Sequence, residues 1–162
     1  MIIDVSQIIT NEGAVKEIDG ELSLADLSFN GQDIHFTAPV SIHGDIKNIS
    51  CILYLSLDCR AQFVTKCGRC LEDVEETLDF SMEEQLSKLP SDEEVIIIDS
   101  SELDLDELVI KNFCSELPIN YICSEDCKGL CHVCGCNLNH TTCDCEDDYI
   151  DPRLAALKNF LK

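Results

Sequence analysis

The chain has 162 residues, with 32 Asp and Glu against 11 Lys and Arg, a formal net charge of -21, and 12 cysteines. A chain of this length with 45% apolar residues can bury a real core, which excludes a disordered acidic tail. The charge excludes a protein that grips nucleic acid through a broad basic surface, and so many cysteines demand a disulfide, metal or redox explanation.

Met1 to Gly13 lacks the basic stretch, the long apolar stretch and the small-residue cleavage site of a signal peptide. The longest wholly apolar run, Cys51 to Leu55, is far below the roughly 20 residues of a membrane span. The expectation is a cytoplasmic protein with no membrane partner. There thiols stay reduced, and a cysteine framework binds metal.

Residues 1–48 read as strands and loops punctuated by glycine. Asn30-Gly31 is a hairpin-turn dipeptide, and Gly44-Asp45 is a second turn candidate. Ile49 to Val64 is the clearest strand, with Ile49, Cys51, Leu53, Leu55 and Leu57 on one face at period two. Cys51 and Cys59 inside it read as small buried hydrophobes. Lys66-Cys67-Gly68-Arg69-Cys70-Leu71 follows, and Val74, Glu76, Leu78 and Phe80 resume strand alternation. A Cys-x2-Cys turn between two strands is a zinc-knuckle geometry, presenting two thiolates at a hairpin tip.

Residues 83–94 read as an acidic loop or frayed helix, and Val95 to Ile98 as a short apolar strand. Leu105, Leu108, Val109, Phe113 and Leu117 form a helical stripe that Pro118 stops. Ser101 and Asp104 resemble a capping box at its start. The stripe reads as packing against the sheet. Asp151-Pro152 then opens a short C-terminal helix.

Cys123, Cys127, Cys131, Cys134, Cys136, Cys143 and Cys145 crowd the segment between. Its few apolar residues cannot build a core, so it folds only when cross-linked. Cys131-x2-Cys134-Gly135 has the knuckle pattern, with glycine where the turn wants a positive φ. Tetrahedral zinc needs four ligands. The preferred reading pairs Cys131 and Cys134 with Cys143 and Cys145, and Cys67 and Cys70 with Cys123 and Cys127. That gives two zinc ions; a single zinc in either set competes. Cys136 stands as an alternative to a neighbouring ligand, and His140 as a substitute for a cysteine. Thioredoxin-like chemistry at Cys67–Cys70 lacks its βαβ setting, and the run lacks ferredoxin spacing. No phosphate loop or His-Glu-x2-His motif occurs. A four-thiolate site leaves no open position for catalysis. The sequence therefore points to no enzyme and no small-molecule substrate.

The order of these motifs carries a family resemblance. Cys67-x-Arg69-Cys70-Leu71 precedes a leucine-rich helix ending at Leu117-Pro118. Then come Cys123 to Cys131 (CSEDCKGLC), Cys134-Gly135-x-Asn137-Leu138-Asn139, Cys143-Asp144-Cys145 and Asp151-Pro152-Arg153-Leu154. This resembles the cysteine-rich branch of the bacterial YceD-type family, the large ribosomal RNA subunit accumulation proteins, over roughly residues 50–162. His132 departs from it, since Pro is expected after the cysteine; this leaves ligation intact but loosens the knuckle. The resemblance implies a role in accumulation of 23S rRNA and large-subunit assembly, with 23S rRNA or a pre-50S particle as partner. It implies no catalytic activity. RNA contact would fall to Lys66, Arg69, Lys128, Arg153, Lys158 and Lys162, and the acidic remainder would suit a basic ribosomal protein. Two other readings stand: an acidic adaptor with purely structural zinc, and a thiol oxidoreductase or metallo-enzyme.

The expected fold is α+β: a mostly antiparallel sheet, curled toward a barrel, with one helix over about 103–117. The expected division is a β-rich domain at 1–118 and a zinc-stabilised segment with a C-terminal helix at 119–162.

Overall fold

Strict alternation runs through residues 52–66: Leu53, Leu55, Leu57, Cys59, Ala61, Phe63 and Thr65 are all buried, and Ser56, Asp58, Arg60, Gln62 and Lys66 are exposed. Such a pattern fits only a pleated strand with one covered face. The computed structural model describes residues 1–88, 95–98 and 101–145. Its elements in chain order are β1 (Ile2–Asp4), α1 (Ser6–Thr10), β2 (Val15–Leu22), β3 (Leu27–Phe29), β4 (Gln32–Phe36), β5 (Val40–Ile49), β6 (Ile52–Lys66), β7 (Asp73–Ser87), β8 (Ile96–Ile97), β9 (Glu102–Asp104) and α2 (Leu105–Glu116).

β6 organises the sheet. β7 runs antiparallel along one of its edges, from Leu53↔Leu86 to Lys66↔Asp73. Along the other edge, β5 pairs with residues 52–60 and β4 with Val64 and Phe63. β2 lies outside β5, β3 pairs with β4, and β8 adds a short parallel pairing to β7. β1 and β9 form a separate two-stranded sheet. The α+β class and the antiparallel sheet match the sequence reading. The barrel does not: β2 and β8 end the sheet without pairing to each other among the described residues.

Three further expectations are corrected. Gly44-Asp45 lies inside β5, where a Cβ on Gly44 would stand 2.0 Å from the Ser56 carbonyl oxygen. Glycine therefore serves a close strand approach there, not a turn. The turn is instead Ser50-Cys51, both at positive φ (54° and 66°), so Cys51 is exposed, not buried. Glu83 to Ser87 continues β7 instead of forming a loop or helix. The Asn30-Gly31 turn is as expected, with both residues at positive φ.

α2 buries Leu105, Leu108, Val109 and Phe113. The Phe113 ring sits 5.3 Å from both Phe36 and Phe63 and 5.9 Å from Phe80, and Tyr121 joins through Phe63 at 5.8 Å. The cap is Asp104, whose carboxylate accepts from the Asp106 N–H at 3.0 Å, so the Ser101 box is replaced. A second helix, α1, lies in the stretch read as strands and loops. Five residues are too short to show a period. Buried Asn48 holds it, donating to the Ile8 and Ile9 carbonyls at 2.7 and 3.1 Å. No helix among the described residues is long and apolar enough to cross a membrane. The expected C-terminal helix, with Arg153, Lys158 and Lys162, lies outside the described residues.

Candidate metal centre

The β6–β7 hairpin ends in a knuckle. The Cys67 N–H donates to the Glu72 carbonyl at 2.8 Å, and the Leu71 N–H returns to the Cys67 carbonyl at 2.9 Å. Leu71 sits at φ +61°. The same pattern recurs 64 residues later: Cys131 N–H to the Cys136 carbonyl (2.8 Å), Gly135 N–H to the Cys131 carbonyl (2.7 Å), and Gly135 at φ +74°. One backbone turn is thus used twice, as C-G-R-C-L-E and C-H-V-C-G-C. The backbone bonds of the second turn are as short as those of the first, with His132 at its second position.

The segment 121–130 wraps the first knuckle. The Gly68 N–H donates to the Tyr121 carbonyl, and the Leu130 N–H to the Arg69 carbonyl. Positive-φ Gly129 packs against Arg69, leaving 3.0 Å between a Cβ there and the Arg69 oxygen. This brings Cys67, Cys70, Cys123 and Cys127 together, their Sγ atoms all within 4.8 Å of one another. Cys67 Sγ lies 3.9 Å from Cys127 Sγ, and Cys70 Sγ 3.6 Å from Cys123 Sγ. A disulfide needs about 2.05 Å. A tetrahedron with Zn–S bonds of about 2.3 Å has sulfur–sulfur edges of about 3.8 Å, which these distances match. The donor set therefore fits zinc, in the pairing expected from the sequence.

The surroundings favour the thiolate at Cys67 and Cys127. Burial pushes Cys67 up, but N–H groups of Cys70, Cys123 and Arg69 outweigh it and bring the thiol down to about 6. The Asn139 amide donates to Cys127 Sγ at 3.4 Å and lowers that thiol. Cys70 goes the other way. The Glu72 backbone N–H favours its thiolate, but burial and the neighbouring thiols push it up. Four such groups cannot all ionise side by side without a cation among them.

The second group is Cys131, Cys134, Cys136 and Cys143, again within 4.8 Å of one another. Spacing pairs Cys143 with Cys145; the structure seats Cys136 in the quartet and leaves Cys145 beside Cys134 and Cys131. Five thiols therefore share this site. The reason is visible in the knuckle repeat. Position six of the first knuckle is Glu72, whose carboxylate accepts from Cys70 Sγ at 3.5 Å. Position six of the second is Cys136, so its side chain reaches the equivalent Cys134. Aligning the two knuckles would have found it. N–H groups of Cys134 and Val133 bring Cys131 down to about 6. Cys134 thiol neighbours push Cys136 up to about 11 and Cys145 up to about 12.

His140 is not among either quartet. Its Nε2 meets Glu72 Oε1 at 2.5 Å, which lowers the Glu72 pKa and ties the second knuckle's loop to the first site from outside. Of the three expected RNA-contacting cations among the described residues, two are engaged. Lys66 pairs with Asp73 at 2.5 Å. The Arg69 guanidinium donates to the Glu125 and Cys127 carbonyls at 3.2 and 3.1 Å, pinning the wrapping segment. Lys128 is exposed. Cys59 is buried as expected, which pushes its thiol up to about 11.

The chain is 26% identical to the uncharacterized protein ML1660 of Mycobacterium leprae, over 99% of this chain and 77% of that one. It is 27% identical to the uncharacterized protein YlbN of Bacillus subtilis, over 90% and 88%. Against the uncharacterized protein Rv2926c of Mycobacterium tuberculosis the figures are 25%, 99% and 81%. No solved structure matches it. The family model for the large ribosomal RNA subunit accumulation protein YceD matches residues 55–161, from the central strand through both knuckles, and the chain belongs to that family.

Proposed function

We propose that this protein is a non-enzymatic zinc protein that supports accumulation of 23S rRNA and assembly of the large ribosomal subunit. The family match over residues 55–161 carries the ribosomal part. The zinc part is supported by the tetrahedral sulfur spacing of the first quartet and the proximity within the second. Zinc in each quartet is structural: four thiolates fill its coordination and leave no position for substrate. Its work is to fasten residues 121–145 onto the tip of the β6–β7 hairpin. Depleting the protein from cells tests the role: the ratio of 23S to 16S rRNA should fall, and an unchanged ratio defeats the reading. Elemental analysis of chelator-free protein should find two zinc ions per chain.

One observation favours a protein partner beside RNA. The exposed face of the sheet carries cross-strand rows in which acids outnumber cations: Glu17, Asp45, Ser56 and Glu83; Asp19, His43, Asp58 and Ser81; Glu21, Ser41, Arg60 and Asp79. Its cations are already paired, Arg60 with Asp79, Lys47 with Asp45 and Lys66 with Asp73. A face of this sign repels phosphate and suits a basic ribosomal protein. Crosslinking in cells separates the cases, since RNA contact yields 23S fragments and the acidic face yields a basic ribosomal protein.

A further inference from the structure

The second cysteine site holds one thiol more than a tetrahedral metal can use, and it is more open than the first. In the first site Cys67, Cys70 and Cys127 are buried, and position six of the knuckle is a carboxylate. In the second, Cys134 and Cys145 are exposed and Cys136 and Cys143 half-buried. Cys145 lies against Cys134 but outside the quartet of mutually close sulfurs. A solvent-accessible thiolate poised next to a spare thiol is the arrangement of a peroxide-reactive cysteine with its resolving partner.

We infer that Cys134 and Cys145 form a peroxide-responsive pair that releases the metal of the second site while the first site keeps its own. This rests on the reading of both quartets as zinc centres. In the first step the Cys134 thiolate sulfur attacks a peroxide oxygen. An S–O bond forms, the O–O bond breaks, and hydroxide leaves to become water with a proton from solvent. The sulfur is oxidised by two electrons and the peroxide is reduced. In the second step the Cys145 sulfur attacks the Cys134 sulfenic sulfur. An S–S bond forms, the S–O bond breaks, and the departing hydroxide takes the Cys145 proton as a second water. The metal loses the Cys134 thiolate, and three remaining ligands no longer close a tetrahedron. Among the described residues the thiols of the first site have only one another as thiol partners, so a sulfenic acid formed there has no spare thiol to resolve it.

The test uses the full chain loaded with zinc and treated with hydrogen peroxide, in the presence of a chromogenic zinc chelator too weak to strip the protein unaided. One of the two zinc ions should be released. Peptide mapping without reduction should show a Cys134–Cys145 disulfide, and reductant with zinc should restore the starting state. Cys145→Ser should hold two zinc ions at rest and release the labile one far more slowly. Loss of a zinc from Cys145→Ser before peroxide overturns the proposal, because Cys145 would then be a ligand. So does release of both ions together, release from Cys145→Ser at the wild-type rate, or a disulfide elsewhere. Fewer than two zinc ions in untreated wild-type protein instead defeats the two-zinc reading, a distinguishable failure.

Discussion

Stripping the metals should unfold one part of the chain and spare the rest. Between residues 122 and 145 the only buried apolar side chains are Cys127 and Cys131, both thiols of the proposed sites. Fixing each backbone residue costs about 1–2 kcal/mol, so a segment of this length costs tens of kcal/mol to order. Its backbone hydrogen bonds, among them those of Cys127, Leu130, Cys131, Gly135 and Leu138, return about 1 kcal/mol each. That falls far short. In small peptides that fold only around tetrathiolate zinc, the metal orders the chain with an apparent net gain on the order of 10–16 kcal/mol per site. The end of the sheet away from the knuckle has no such dependence, because Leu53, Leu55 and Leu57 belong to a core separate from the cysteine cluster. Hydrogen exchange with mass spectrometry, with and without a strong chelator under reducing conditions, reads the difference. Peptides from 122–145 should lose protection to the level of an unstructured chain, and peptides from β5 and the first half of β6 should keep theirs. Equal protection of 122–145 with and without metal would refute the reasoning, as would simultaneous collapse of β5.

Three other outcomes follow from individual residues. Asn48→Ala removes three buried or half-buried hydrogen bonds, two to the end of α1 and one from the Cys51 N–H at 3.1 Å; at about 1 kcal/mol each, denaturant unfolding should show a loss of about 2–4 kcal/mol. Replacing Ser50-Cys51 by Asn-Gly suits the two positive φ values and should stabilise the hairpin by about 0.5–1 kcal/mol in the same assay. The Asp26 carboxylate raises the His35 pKa above 6.5, and His35 in turn lowers Asp26 below 3.8. The favourable pairing of His35 is therefore fully present below pH 6.5 and fades as pH rises through the raised value; on the acid side it fades as pH falls through the lowered Asp26 value. Asp26→Asn should bring the NMR titration midpoint of His35 down toward 6.5.

Strong periodicity made the sheet and α2 legible, because Leu53 through Phe63 and Leu105 through Phe113 each allow only one burial pattern. What stayed hidden depended on geometry with no sequence period. Glycine at position 44 reads as a turn, yet it answers a close approach of the Ser56–Leu57 backbone of β6. Cys51 reads as one more apolar residue in an alternating run, yet Asn48 draws its N–H into a tight turn. At the metal sites the first quartet was readable because Cys67 and Cys70 stand as an isolated pair that needs two partners. The second was not, because Cys134, Cys136, Cys143 and Cys145 are crowded enough that spacing alone allows several sets.

The two knuckles differ most in what they are attached to. Cys67 follows directly on β6, and Gly68 bonds to Tyr121, whose ring packs on Phe63 in the main core. Loss of the first site would therefore propagate into the aromatic cluster around α2. Among the described residues the second knuckle is tied to the first by the Leu130↔Asn137 bridge, the Leu138–Gly129 bond and the His140–Glu72 contact. A reversible event at the second site can thus change the surface of the cysteine segment without a cost to the fold. The same turn serves as an anchor where position six is Glu72, and as an adjustable site where position six is Cys136 and a fifth thiol stands beside it.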